Sequence, residues 1–163
     1  MKFLFSRIDQ IALIVEDLQQ AMSHYHDSMG YGPWQCYQYD PESVPHLRYR
    51  GRPTEARWKF AMTDVNGLNF ELIEPVSTGD NIYSEFVERG GYGLHHVGIN
   101  VPNTEEVCRI AAESSIETIM EGRGFGAGGD GHFAYLDTVK LLGMIVELRE
   151  IPKKRVAAHW TFP

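Results

Sequence analysis

A strand-and-helix pattern occurs twice in this chain, and that repetition limits its possible folds more than any other feature of the sequence. The segment IDQIALIVEDLQQAMSHY, from Ile8, lies over LHHVGINVPNTEEVCRIA, from Leu94, so that Gln10 falls on His96 and Asp17 on Asn103. Each copy opens with apolar residues at alternate positions, Ile11, Leu13 and Val15 in the first and Val97, Ile99 and Val101 in the second. That two-residue period is the mark of a strand covered on one face, and it points Gln10 and His96 to the other face. Each strand then runs into a helix start of the capping-box kind, Asp17 followed by Gln20 and Asn103 followed by Glu106. Leu18, Ala21, Met22, Tyr25 and Met29 form the apolar stripe of the first helix, which stops at Gly30. Val107, Cys108, Ile110 and Ala111 form that of the second.

Three β-rich stretches follow each helix: 34–39, 57–63 and 68–73 in the first copy, and 116–121, 132–137 and 144–148 in the second. Each module therefore reads as βαβββ, the first carrying an insertion at 40–56. Between them, Asn81–Arg89 has the pattern of a linking helix with Ile82, Tyr83, Phe86 and Val87 on one side and Gly90-Gly91 as its stop. The expected fold is α+β: a single domain over 1–163, with module one at about 8–76, the linking helix at about 80–90, module two at about 94–150 and a tail at 151–163. A four-stranded sheet with a helix on one face leaves its other face open. Two such units side by side curl into an incomplete barrel whose concave faces share one cleft, with Gln10 and His96 directed into it.

In the closing strand of each module a carboxylate sits inside an apolar run, Glu71 in LNFELIEP and Glu147 in GMIVELRE. A charge on such a strand is costly in a dry interior unless it has a partner. A divalent cation would be that partner, with two carboxylates balancing its charge while Gln10 adds an oxygen and His96 a nitrogen. This donor set is hard and lacks thiolate, so it suits an open site for Zn, Ni, Co, Mn or Mg better than a closed structural zinc.

IDQIALIVEDL, FELIEP, GLHHVGINV and MIVELRE resemble the four metal-bearing strand motifs of the vicinal-oxygen-chelate superfamily, over nearly the whole chain from Ile8 to Arg149. The resemblance implies Gln10, Glu71, His96 and Glu147 as metal ligands. The Gln/Glu/His/Glu set is similar to that of some glyoxalase I enzymes, while GAGGDGHFAYLD, 126–137, more closely resembles a stretch of methylmalonyl-CoA epimerases. Both comparisons imply a metal-dependent isomerase or lyase that moves a proton next to a carbonyl or thioester, with Glu147 as first and Glu71 as second candidate for the base. The resemblance also implies a small-molecule substrate and a homodimer. A non-catalytic resistance-type binding protein is the alternative, and a ring-cleaving dioxygenase fits poorly because such enzymes usually carry His where Gln10 stands. One departure is local: many relatives place a DPDG-like turn before the last ligand strand, where this chain has LDTVKLLGMIVEL.

Composition narrows the surroundings. The net charge of −7 and pI near 5.4 argue against general nucleic-acid or membrane-surface binding. Cys36 and Cys108 have no metal-site spacing and read as ordinary thiols, and the opening MKFLFSRIDQ is too short for a secretory apolar segment, so a cytoplasmic protein is expected. RYRGRPTEARWK, with Arg48, Arg50, Arg52, Arg57 and Lys59, reads either as an anion-holding patch or as a solvated hairpin. The glycine-rich stretch 122–132 reads as a lid over substrate with His132 near its hinge, or else as a plain hairpin. His95 is expected on the opposite face from His96, in packing or a surface hydrogen bond. In the tail, Trp160 and Phe162 are expected to dock on a sheet or a second subunit.

Overall fold

In the computed structural model, which describes residues 7–163, one mixed sheet of eleven strands organises the chain. The opening MKFLFS lies outside the described residues. Module one supplies β1 (Gln10–Ile14), α1 (Leu18–Met29), β2 (Trp34–Tyr39), β3 (His46–Tyr49), β4 (Arg52–Pro53), β5 (Trp58–Val65) and β6 (Leu68–Pro75). The helix α2 (Ile82–Gly90) links it to β7 (Gly93–Asn100), α3 (Thr104–Glu113), β8 (Thr118–Phe125), β9 (Gly131–Leu136), α4 (Val139–Leu142) and β10 (Ile145–Glu150), and the tail ends in β11 (Trp160–Phe162).

The strand order β11-β2-β5-β6-β1-β7-β10-β9-β8-β3-β4 shows how the repeat is used. In each module the first strand pairs in parallel with the last, β1 with β6 and β7 with β10. The two first strands then pair antiparallel with each other, which fuses the modules edge to edge within one chain. Both helix starts form as the capping pattern requires: Asp17 accepts from the Gln20 amide and Asn103 from the Glu106 amide. Gly30 ends α1 at φ 71°, a left-handed turn that costs a glycine little. The apolar stripe of α1 packs Leu18 and Met22 onto Trp34, Cys36, Ala61 and Leu72, but Met29, expected in that stripe, is the last residue of the helix and is 58% exposed.

Two parts of the chain extend the repeat. The insertion carries the β3–β4 hairpin across to module two, where β3 pairs with β8 and buries Val44 and Leu47 in the same apolar cluster as Tyr37, Trp58, Phe60 and Phe133. The tail docks as expected, with β11 pairing along β2. The glycine-rich stretch takes the hairpin form and not that of a lid: it is the end of β8, a turn and the start of β9. Its glycines serve contact: a Cβ on Gly122 would stand 2.5 Å from the Phe133 ring and one on Gly131 2.5 Å from the Phe125 ring. The turn is tied to the tail, with the Ala127 amide donating to the Lys154 carbonyl and the Lys153 amide to Asp130. Where relatives carry a DPDG-like turn, the chain forms α4, closed by Gly143 at φ 75°.

Candidate active site

Sheet register brings Gln10, Glu71, His96 and Glu147 together. Gln10 faces Gly98 across the β1–β7 joint, and Gly98 faces Glu147 across β7–β10. Two residues along on the same face, Glu71 is opposite Ala12 and Ala12 is opposite His96. The four side chains therefore come from two adjacent cross-strand rows on the concave face, and each row has its smallest residue, Gly98 or Ala12, beside two of them. Gly98 is required sterically: a Cβ there would stand 2.6 Å from Gln10 Oε1 and 2.8 Å from Arg149 Cδ.

All four are buried, with His96 and Gln10 at 1% exposure at the floor and Glu71 and Glu147 lining the cleft above them. His96 Nε2 lies 3.3 Å from Glu147 Oε2 and 3.7 Å from Glu71 Oε2. Asn69 orients the Gln10 amide, accepting a 2.7 Å hydrogen bond from Nε2 and leaving Oε1 without a partner. His96 Nε2 and Glu147 Oε2 are likewise buried and unpartnered. Among the described residues no group of three or more His, Cys, Asp or Glu side chains is drawn up to cage an ion as it stands. The chemistry of the donors nevertheless fits a cation: three converging electron-pair donors lack a hydrogen-bond partner, and two carboxylates face each other. Burial, and next the charge of Glu147, push the Glu71 carboxyl up to about 8, and a bound cation would reverse both effects.

The cleft encloses about 90 Å³. Its walls are aromatic, with Tyr37, Tyr39, Trp58, Phe60, Phe133 and Tyr135 among them, and Arg149 and Arg155 also line it. Arg149 Nε lies 3.5 Å from Glu147 Oε2, while Arg155 comes from the tail. Tyr83 of α2 and Tyr135 of β9 join hydroxyls at 3.0 Å, and burial holds both well above the usual phenol range. On the cleft wall, His132 contacts Glu121 at 3.4 Å, and that hydrogen bond, before those from Arg123, holds the Glu121 carboxyl down to about 2.

The basic stretch resolves toward the solvated hairpin. Arg50 pairs with Glu85 at 2.9 Å, Arg57 with Asp40 at 3.5 Å and Lys59 with Glu74 at 2.7 Å, and Arg48 donates to the Gly51 carbonyl. None of these residues, nor Arg52, is among those that line the cleft. His95 departs from its expected place. Its strand bulges between two register positions, Ala12 facing His96 but Leu13 facing Leu94, so His95 has no partner residue and alternation breaks there. Both histidines turn inward, His95 being 3% exposed.

Residues 9–135 match the family model of the glyoxalase/bleomycin resistance protein/dioxygenase superfamily. The chain belongs to that superfamily. Among curated proteins, an uncharacterized protein of Bacillus subtilis, YqjC, is 24% identical over 89% of this chain and 92% of its own. Among solved structures of this superfamily's shape, a methylmalonyl-CoA epimerase in complex with methylmalonyl-CoA and NH4+ is similar at a TM-score of 0.68 and 16% identity, covering 93% of this chain and 98% of its own. The methylmalonyl-CoA epimerase from Mycobacterium tuberculosis is similar at 0.65 and 19%, over 92% and 91%. At these identities the superfamily fold is what the structures share. No helix among the described residues is long and apolar enough to cross a membrane.

Five residues of the site escaped the sequence reading: Asn69, Gly98, Arg149, Tyr135 and Arg155. The first three carried a signal, since each lies two places from a candidate ligand and so on the same face of its strand. Tyr135 and Arg155 carried none, because only the packing of β9 and of the tail puts them at the cleft.

Proposed function

We propose that this chain is a metal-dependent isomerase or lyase that moves a proton on the carbon next to a carbonyl or thioester, of the epimerase kind before the glyoxalase kind. The observation that carries the reading is the pair of carboxylates lining the cleft, beside an imidazole nitrogen and an amide oxygen at its floor that have no other partner. Gln10, Glu71, His96 and Glu147 would hold a divalent cation, which when bound supplies a Lewis acid for a carbonyl oxygen.

The remaining chemistry belongs to the protein. A cleft of about 90 Å³ takes the reacting end of a substrate and leaves any larger part outside, past Arg149 and Arg155, which suit an anionic group. The aromatic walls exclude water and strengthen every charge interaction inside. Glu147 takes the proton. Glu71, on the far side of the β1–β7 joint, is the second group that an epimerisation requires, passing a proton drawn from solvent to the opposite face of the carbon. The epimerase kind is preferred because the similar solved structures include methylmalonyl-CoA epimerases, one of them with methylmalonyl-CoA. A binding protein without catalysis is disfavoured, since two buried carboxylates facing each other would only weaken a mere apolar pocket.

The test is direct. Stoichiometric divalent metal should co-purify or bind, and should raise the melting temperature. Methylmalonyl-CoA incubated in heavy water should exchange its α-proton, and Glu147→Gln should lower that rate by on the order of 10² or more while the circular dichroism stays native. Consumption of a hemithioacetal without such exchange would move the assignment to a lyase. Wild-type turnover in Glu147→Gln would refute the role of that carboxylate.

A further inference from the structure

The bulge in β7 leaves one residue without a cross-strand partner, and that residue is His95. Its ring is turned to the same side as its neighbour's, so that His95 Nδ1 and His96 Nδ1 stand 2.8 Å apart in the interior. Two ring nitrogens at that distance share a single proton: with two protons the N–H groups would collide, and with none the lone pairs would repel. Whichever ring holds the proton on Nδ1, the state of His96 Nε2 follows, because a neutral imidazole carries only one N–H. If His95 donates, His96 bears its proton on Nε2, directed at Glu147 Oε2 3.3 Å away, and that nitrogen has no lone pair to offer. If His96 donates, its Nε2 lone pair is free at the cleft floor, and His95 carries its proton on Nε2, which is buried and has no hydrogen-bond partner.

We infer that His95 is a positioning residue for the metal site, its Nδ1 accepting the Nδ1 hydrogen of His96 in the tautomer whose Nε2 can ligate. This rests on the metal-dependent reading above. Each tautomeric arrangement holds two protons on the pair, so the exchange between them neither gains nor loses one. Its supports are two: the bulge brings the two Nδ1 atoms together at this place, and the buried His95 ring is walled by Phe86 at 4.9 Å and Tyr83 at 5.7 Å, which hold it there. Partners of this kind on a ligand histidine typically change metal affinity by about 10–100-fold when removed.

Zinc, being diamagnetic, is the probe. In ¹⁵N-histidine-labelled protein loaded with zinc, the two-bond ¹H–¹⁵N spectrum should show His96 protonated on Nδ1 and His95 bare on Nδ1. Competition with a chromophoric chelator should show His95→Phe binding zinc about 10–100-fold more weakly than wild type. His95→Gln, whose side-chain carbonyl can accept the same hydrogen bond, should recover most of that loss. Should His95→Phe fail to fold, the wild-type spectrum and His95→Gln still decide. An unprotonated His96 Nδ1 in the loaded protein, or wild-type affinity in folded His95→Phe, overturns the inference. His96→Ala separates the two layers: if it and wild type bind zinc equally, or neither binds, the metal reading has failed and the inference with it. If only wild type binds and His95→Phe matches it, this inference alone has failed.

Discussion

Gly98 shows how much of this site depends on what a residue lacks. It faces Gln10 on one side and Glu147 on the other, and its missing side chain is the space through which the Gln10 amide reaches the floor. Gly98→Ala should weaken divalent-metal binding by on the order of 10-fold or more, read by titration calorimetry, because the added methyl would stand 2.6 Å from Gln10 Oε1 and push that oxygen out of line. Ala12, which stands at the equivalent place of the repeat, already accommodates a Cβ between Glu71 and His96, so the repeat is not symmetric in the room it leaves. Asn69 acts on the same amide from the other side. The alternation of a strand made such residues findable: each lies two places from a ligand candidate. His95 was misplaced for the same reason, since alternation is the very rule a bulge suspends.

At the scale of elements, β3 and β8 carry the clearest consequence. The insertion had no readable conformation in the sequence, because a stretch rich in Pro and Arg has neither a helical nor a strand period. Its place is settled by the free edge of β8 and by apolar contact, Val44 and Leu47 entering the cluster of the opposite module. Gly122 lies beneath that contact, where an added Cβ would meet Val44 at 2.7 Å as well as Phe133. Gly122→Ala should therefore destabilise the protein by about 1–3 kcal/mol, measured by urea denaturation, with the loss reduced in the double variant Gly122→Ala with Val44→Ala. The glycines of 122–132 suggested a lid by their number alone, but close packing uses glycine too, and only the neighbours distinguish the two.

For the whole molecule, the buried carboxylates tie stability to pH. Glu71 titrates near 8 in the fold against 4.5 as its ordinary value, through burial first and Glu147 second. Between those values the folded chain holds a proton that the unfolded chain has released, so stability should fall as pH rises from about 4.5 to about 8, by at most about 1.4 kcal/mol per pH unit. A bound cation would take the place of that proton. The metal-free protein should thus lose melting temperature across that window while the metal-loaded protein stays nearly level, and parallel curves for the two forms would show that the carboxylates and the metal do not compete.

From its own letters the chain declared the repeat, the capped helices, the closing strands and the four polar residues that interrupt apolar runs, because periodicity and the cost of burying a charge are local matters written along one segment. Tertiary structure alone decided that both modules of a single chain share the cleft, that the tail finishes its walls while the insertion crosses to the opposite module, and that His95 turns inward beside His96. Those outcomes depend on which strand edges meet and on a bulge that answers to the partner strand, and such pairings are set by distant parts of the chain acting at once.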